Sequence, residues 1–403
     1  MASEVKIYGM QLTGRKVLFA VLILAITYLA VGVGLLATGT INRLYFLPGW
    51  SLKGPKTRSD LSGFAADGPV MFYHQGRLVS KRIVPEEGKL ALLTDTLTPG
   101  LSNRVQCFVG ETKQAFWVPL RGMAPVVPAS SYPAPEKLLA VSDIEGNFKG
   151  FQQLLRGAGV VDAQLRWRFG HGQLVLVGDF FDRGLNVTEC LWLIYKLEQE
   201  AEQAGGKVHF IVGNHERMNL TGHFKYVRRK YFSNADTLGI AYSRWYDRAT
   251  VLGRWLRTKN VAEKIGSVLF VHGGISPQIA AEGLTLEQLN ALARLSIDTA
   301  TVALTPQARR ATQPPGSPDW YRGLVLEEPS EAQVAAVLSA YGATTMVVGH
   351  TPVEHISRFY HGKVVAIDLP HQQRTDAGQP LQALWLEKGM MSIIDSQGVR
   401  SAF

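Results

Sequence analysis

The sequence predicts an α/β fold, preceded by one membrane-spanning helix and a small antiparallel β domain, in a chain of 403 residues. Three observations carry this reading. Val17 to Ala37 is an unbroken apolar run, Asp67 to Leu120 breaks into short β-like runs, and from Lys137 onward apolar strand-like runs alternate with amphipathic helical ones. At 46% hydrophobic residues the chain can bury enough apolar surface for two domains.

A short tail, residues 1–16, precedes the anchor at 17–38. The run VLFAVLILAITYLAVGVGLLA holds no charge, and only Thr27, Gly32 and Gly34 join its apolar and aromatic side chains. At about 1.5 Å rise per residue, roughly 20 such residues span a hydrocarbon core of about 30 Å. A cleavable signal peptide is the rival reading. Its apolar core runs to only about 7–15 residues and a small-x-small cleavage site should follow it, which is not found after Leu36, so we expect an uncleaved anchor. The absence of a polar face disfavours a buried core helix. Arg15 and Lys16 lie nearer the span than Arg43, Lys53, Lys56 and Arg58. That asymmetry places the N-terminus in the cytoplasm and the globular part outside it, in the periplasm if the cell is Gram-negative.

Residues 39–66 read as a linker and 67–123 as the small antiparallel β domain, on the runs PVMFYH, RLVSKRIV, LALLTDTL, VQCFVG and QAFWVPL. Alternation assigns Phe72, Tyr73, Phe116 and Trp117 to core packing rather than to a ligand platform. The proline-rich stretch within 124–136 sustains neither a helix nor a central strand and marks a boundary. The main α/β domain follows, 137–403, where LLAVSD, LVLVGD, VHFIVGN, SVLFVHGG and TTMVVGH read as strands buried on both faces, a mainly parallel core.

The net charge of +9 suits an anionic partner such as a phosphorylated substrate, a nucleic acid or a lipid surface. No nucleic-acid motif supports the second of these. Cys107 and Cys190 form neither a disulfide framework nor a zinc ribbon pattern. The sequence does not specify an oligomeric state.

Five strand-like runs end in potential metal ligands: Asp143-Ile144-Glu145, Gly178-Asp179-Phe180-Phe181-Asp182-Arg183-Gly184, Gly213-Asn214-His215-Glu216, Val271-His272-Gly273-Gly274 and Gly349-His350-Thr351. Ligands of open α/β sheets bind beyond the carboxyl ends of the strands, so all five should converge on one rim. A single Asp or His at a strand end is usually a cap or turn residue; five in this order are not.

GDxxDRG, GNHE, VHGG and GHT stand here in the order seen in calcineurin-like metallophosphoesterases, and the set resembles the phosphoprotein phosphatase branch. The resemblance covers roughly Lys137 to Asp368. With WYRG at Trp320 to Gly323, and no SAPNY-type segment near Val364 to Pro370, the chain looks like the bacterial, Shewanella-like subgroup. The resemblance implies an α+β four-layer β-sandwich and two divalent ions, Mn²⁺ foremost with Fe, Mg²⁺ or Zn²⁺ as alternatives. By motif position, Asp179 bridges the two ions, Asp143 and Glu145 hold the first, and Asn214, His272 and His350 hold the second. A water between two dications loses its proton and attacks phosphorus in line with the leaving oxygen. His215 would act as general acid, oriented by Asp182, and Arg183 and Arg322, with Asn214 and His215, would bind the substrate phosphate.

One position departs from the family pattern, because Glu145 stands where the first motif carries a histidine. A carboxylate still ligates, and its hard oxygen shifts preference toward Mn²⁺, Mg²⁺ or Fe. His355 is read as a residue outside the ligand set, Glu216 as a loop-closing residue, and His223, Arg228, Arg229 and Lys230 as a solvated basic face rather than a docking site. The expected function is therefore a membrane-anchored phosphatase of phosphoserine and phosphothreonine proteins or small phosphomonoesters. A diester or pyrophosphate hydrolase, or a catalytically silent phosphate-binding module, would use the same residues and stays open here.

Overall fold

The structure is a computed structural model and describes residues 14–37, 43–47, 50–53, 65–98, 100, 103–122 and 126–403. Most of the expected N-terminal tail and of the linker at 39–66, and the start of the proline-rich boundary, lie outside the described residues. The chain divides into two compact units, Met1–Gly63 and Phe64–Phe403.

In the first unit, helix α1 (Gly14–Ala37) is 24 residues long, about 36 Å at 1.5 Å per residue. Its residues from Leu18 to Leu35 are exposed apart from Gly32. This is a helix long and apolar enough to cross a membrane. Strands β1 (Arg43–Leu47) and β2 (Trp50–Lys53) pair antiparallel behind it.

The second unit opens with the antiparallel sheet β3 (Asp67–His74), β4 (Arg77–Glu86) and β5 (Lys89–Leu97), followed by the hairpin β6 (Arg104–Val109) and β7 (Gln114–Pro119). These are the strands expected of a small separate domain, but they share one apolar core with the rest of the unit. Val70, Met71, Ile83 and Phe116 pack in the same cluster as Trp192, Tyr231 and Trp255. Phe116 is buried and stacks 6.0 Å from Phe148, whereas Trp117 stays 48% exposed under Arg104.

From β8 (Ser131–Tyr132) onward the chain builds two six-stranded sheets. The first sheet draws on β9 (Lys137–Val141), followed by α2 (Phe148–Gly157); β10 (Gln173–Leu176), followed by α3 (Val187–Gln203); and β11 (Lys207–Phe210), followed by α4 (Asn214–Leu220). Helices α5 (Arg229–Leu238) and α6 (Val251–Leu256) then lead to β12 (Ala262–Ile265) and β13 (Val268–Val271) of the second sheet. Its outer face carries α7 (Pro277–Ala280), α8 (Leu286–Ile297), α9 (Pro306–Thr312) and α10 (Glu331–Ala340), and β14 (Thr345–Val348), β15 (Ser357–Phe359) and β16 (Val364–Ala366) complete it. After α11 (His371–Asp376), strands β17 (Gln382–Glu387), β18 (Met390–Asp395) and β19 (Arg400–Ala402) return to the first sheet.

The strand orders are β11-β10-β9-β17-β18-β19 and β15-β16-β14-β13-β12-β8. Alternation along each strand decides the layering, because successive side chains point to opposite faces. Leu138, Ala140, Val175 and Val177 of the first sheet meet Phe270, Val347 and Val365 of the second in one inner core. Leu139, Val141, Leu174 and Leu176 face α2 and α3, while Leu269, Val271, Met346 and Val348 face the helices of the other side. Helix, sheet, sheet, helix is the four-layer arrangement. The mainly parallel core read from the runs is corrected to two mixed sheets: β9, β10 and β11 form a parallel half at one edge of the first, while in the second β13, β14 and β16 run parallel at the centre and β12 pairs parallel with β8 at the edge. Runs buried on both faces are equally satisfied by a sandwich interior, which is why periodicity did not separate the two.

Candidate metal centre

The five parallel strands β9, β10, β11, β13 and β14 end on one rim. Backbone bonds stitch their continuations together: Asp143 N–H to Gly178 carbonyl at 3.0 Å, Glu145 N–H to Asp179 carbonyl at 2.9 Å, and Gly349 N–H to His272 carbonyl at 2.8 Å. The turns are tight. Asp143, Glu145, Asp179, Asp182, Arg183 and His350 all take a left-handed φ of 49 to 70°, a conformation costing of order 1–3 kcal/mol for a non-glycine residue and concentrated at functional sites. Glycines precede three of the candidate ligands, Asp179, Asn214 and His350: a Cβ at Gly178 would run into His272 Nδ1, one at Gly213 into Asp179 Oδ1 and one at Gly349 into Ser142 Oγ and Asp143 Oδ2.

Asp179 lies at the centre. Its Oδ2 is 3.1 Å from His272 Nε2 and 3.7 Å from His215 Nε2, and its Oδ1 accepts the His215 backbone N–H at 3.0 Å. It belongs to two groups whose ligand atoms lie within 4.8 Å of one another, Asp179-His272-His350 and Glu145-Asp179-His215. Burial opposes its charge, but the imidazoles of His272 and His215 outweigh it and hold the carboxyl below the usual range.

His272 is fully buried and its Nδ1 donates to the Val177 carbonyl at 2.7 Å, which turns Nε2 toward Asp179 and toward Asn214 Oδ1, 3.1 Å away. Fixing one ring nitrogen on a carbonyl and presenting the other is how ligating histidines are oriented. His350 Nε2 is buried with no hydrogen-bond partner. A buried, unpartnered imidazole nitrogen aimed into a cluster with Asp179 and His272 is expensive unless a cation takes its lone pair.

On the other side, Asp143 Oδ2 accepts from Ser142 Oγ at 2.5 Å and from the His350 backbone N–H at 3.2 Å. Burial pushes its carboxyl up to about 6, with Asp179 adding repulsion against the attraction of His272. Glu145 is pushed up to about 8 by burial, partly offset by Arg183. Asp368, at the end of β16 and buried, is driven well above its ordinary value by burial and by Asp143 and Glu145. This crowd of carboxylates with the unpartnered His350 is the chemistry of a cation site, and the donors present, carboxylates, imidazoles and an amide oxygen, fit divalent ions.

His215 Nδ1 donates to Asp182 Oδ2 at 2.6 Å, and Asp182 Oδ1 accepts from Asn219 Nδ2 at 3.0 Å. Tyr242 OH in turn donates to Asn219 Oδ1 at 2.8 Å. Burial disfavours the imidazolium, but Asp179 and the bond to Asp182 prevail and lift His215 to about 9. The partner of Nδ1 rather than the charge sets His215 apart, a carboxylate here against a carbonyl for His272, since, against its burial, Asp179 and Asp143 lift His272 as well, to about 10.

Two expected phosphate-binding arginines behave differently. Arg183 is 54% exposed and pairs with Glu145, while its Nη2 lies 3.4 Å from His215 Nε2. The carboxylate at 145 thus gives Arg183 a partner. Arg322 Nη1 donates to the His350 carbonyl at 2.6 Å, so it braces the loop that carries a ligand as well as standing at the rim. Glu216 closes the loops as expected, accepting the backbone N–H groups of Asp179, Phe180 and Gly213 at 2.7–2.8 Å.

The basic stretch after GNHE is less solvated than its composition implied. Lys230 is buried, donates to the Leu185 carbonyl at 2.5 Å and lies 3.4 Å from Asp67 and 3.9 Å from Glu189. Arg228 donates to the Arg183 carbonyl at 3.1 Å, and Tyr226 rests 5.2 Å from the His215 ring. His223 and Arg229 are exposed. Sequence reasoning missed Asn219, Tyr226, Tyr242 and Asp368. Only Asn219, one helical turn after His215 on α4, and Asp368, one more strand-end carboxylate, carried a local signal.

Residues 136–354 match the family described as calcineurin-like phosphoesterase. Among curated relatives, Shewanella-like protein phosphatase 2 of Arabidopsis thaliana is 42% identical over 96 residues, which is 24% of this chain and only 25% of that relative. Shewanella-like protein phosphatase 1 of Plasmodium berghei is 27% identical over 259 residues, 60% of this chain and 69% of the relative. Among solved structures, a cold-active protein-tyrosine phosphatase of a psychrophilic Shewanella superposes with a TM-score of 0.74 at 31% identity, covering 84% of this chain and 99% of that one.

Proposed function

We propose that this chain, which belongs to the calcineurin-like phosphoesterase family, is a membrane-anchored, dinuclear metal-dependent phosphatase acting on phosphate monoesters. The observation that carries the reading is Asp179, one buried carboxylate common to two ligand clusters, with His215 held beside it by its bond to Asp182. Asp143, Glu145 and Asp179 would hold one ion, and Asp179, Asn214, His272 and His350 the other. When bound, the ions supply the Lewis acidity that activates water and neutralises charge on the phosphoryl group. Mn²⁺ suits this donor set best, with Fe, Mg²⁺ and Zn²⁺ as alternatives.

The chain's own residues do the rest. His215 places its Nε2 proton on the leaving oxygen, and Asp182 keeps that ring in register and stabilises its charged form. Arg183, released from Glu145, and Arg322 grip phosphate oxygens with planar guanidinium forks. The relatives are named protein phosphatases and the solved one a protein-tyrosine phosphatase, which favours phosphorylated proteins, on serine, threonine or tyrosine, as substrate. Helix α1 serves as the anchor, and the Arg15-Lys16 pair in its first turn, ahead of the apolar run, supports a cytoplasmic N-terminus.

The test is hydrolysis of p-nitrophenyl phosphate by the full chain with Mn²⁺. We expect turnover, reduced by about 10³-fold or more in Asp179→Asn, since loss of a shared ligand removes electrostatic stabilisation of the transition state. Unchanged turnover in that variant sinks the assignment.

A further inference from the structure

We propose that the surface formed by the start of α5 and the segment before it docks on an anionic lipid bilayer, the one into which α1 inserts. This rests on the anchor reading and goes beyond it, since an anchor alone sets no particular face of the second unit against lipid.

The tether arrives on this surface. The second unit is entered beside α5, where the Ala65 N–H donates to Asn234 Oδ1 at 3.2 Å. Strand β2 ends at Lys53, and the residues from there to Ala65 reach at most about 40 Å.

Its charge complements an anionic surface. From His223 to Asn234 the chain carries Lys225, Arg228, Arg229 and Lys230 and no carboxylate. Lys230 is taken up by Asp67 and Glu189. Lys225 and Arg229 are exposed, and among the described residues neither pairs with a carboxylate. Asp236, two turns after Arg229, is the acid at the far end of the helix face.

The same face carries apolar surface. Phe232 is 40% exposed, although its ring leans on Tyr242 at 5.5 Å and on Phe224 at 6.4 Å. Leu185, whose carbonyl receives Lys230, is exposed as well. Cations flanking an exposed aromatic ring suit the lipid interface, where the cations meet headgroup phosphates and the ring enters the acyl boundary. The face also adjoins the chemistry. The Tyr226 ring rests 5.2 Å from that of His215, with Lys225 Nζ 4.9 Å over it, so a bilayer met by Lys225 and Arg229 lies beside the metal centre.

The test uses the full chain in nanodiscs of phosphatidylcholine alone, or of phosphatidylcholine and phosphatidylglycerol in equal parts. Cys107 and Cys190 are buried, so Thr237→Cys offers a single reactive thiol on the exposed face of α5 for a fluorophore. A nitroxide carried at the lipid headgroup should quench that fluorophore when phosphatidylglycerol is present. Quenching should be lost in phosphatidylcholine alone, and at about 1 M salt, where the Debye length is about 3 Å. It should also be lost when Lys225→Glu and Arg229→Glu are combined, at an unchanged Tm. Quenching that is absent with phosphatidylglycerol, or that ignores lipid charge or the double variant, overturns the docking face.

Elution of the chain apart from the nanodiscs would instead overturn the anchor reading. In that event co-sedimentation of the same chain with phosphatidylglycerol vesicles still reads the face. Binding weakened about tenfold or more by the double variant supports it, and binding that is absent or unaltered overturns it.

Discussion

At the scale of single residues, the site is organised by which atom of each histidine is already spoken for. His272 commits Nδ1 to a carbonyl and His215 commits Nδ1 to Asp182, while His350 keeps Nε2 unpartnered. The proposed division of three imidazoles into two ligands and one acid rests on that difference. Because Asp179 and Asp182 raise the His215 pKa, its acid form persists to higher pH than a free histidine's, and the activity that depends on it is lost as pH rises through the folded-state value of about 9. Bound dications pull that value down, so in the loaded enzyme the limb lies below it. Asp182→Asn removes one of the two supports, so the alkaline limb of kcat/KM for an alkyl phosphate should move to lower pH, by about one unit for each 1.36 kcal/mol of lost interaction. A limb that stays in place would mean that Asp182 does not support the charge on His215. Glu145 was legible as a departure, and its pairing with Arg183 is a consequence that no single motif announced.

At the scale of elements, the loop Gly178 to Asn186 carries the bridge, the acid's partner and an arginine, and it is held from both sides. Glu216 takes up its N-terminal amides, and Lys230 of α5 takes up the Leu185 carbonyl while facing Asp67 of β3 and Glu189 of α3. The first strands of the second unit therefore brace the catalytic loop. Burial would strip the Lys230 charge, but Asp67 and Glu189 hold it in the charged form. Lys230→Met leaves Asp67 buried without its cation, a change of about 3–5 kcal/mol for a broken buried pair. Thermal unfolding should show that loss as a lower Tm, with turnover falling in the surviving folded fraction. A Tm and a turnover both equal to the parent's would remove the brace. Composition suggested a solvated basic face here, since a run of His, Arg and Lys is read one residue at a time and the acids that bury Lys230 come from distant strands and helices.

At the scale of the whole molecule, the strand runs, their order and their chemistry-bearing ends were legible, because each is local and follows from side-chain period and turn chemistry. Partnership was not. Whether β9 to β11 share a sheet with β13 and β14 depends on contacts between segments about 60 to about 210 residues apart, and the runs read the same in one sheet or in two stacked sheets. The same holds for the strands 67–119, whose own pattern is complete but whose core is completed by Trp192 and Tyr231. The apolar helix α1 was legible in full, being a matter of length and composition alone. What unites the molecule is the rim where both sheets deliver their ligands to Asp179, and the count of bound ions reads this directly. Elemental analysis of the purified full chain equilibrated with Mn²⁺ should find two ions per chain, and no more than one in Asp179→Asn. Fewer than one ion in the parent, or two retained without the Asp179 carboxylate, would contradict a dinuclear centre bridged by that residue.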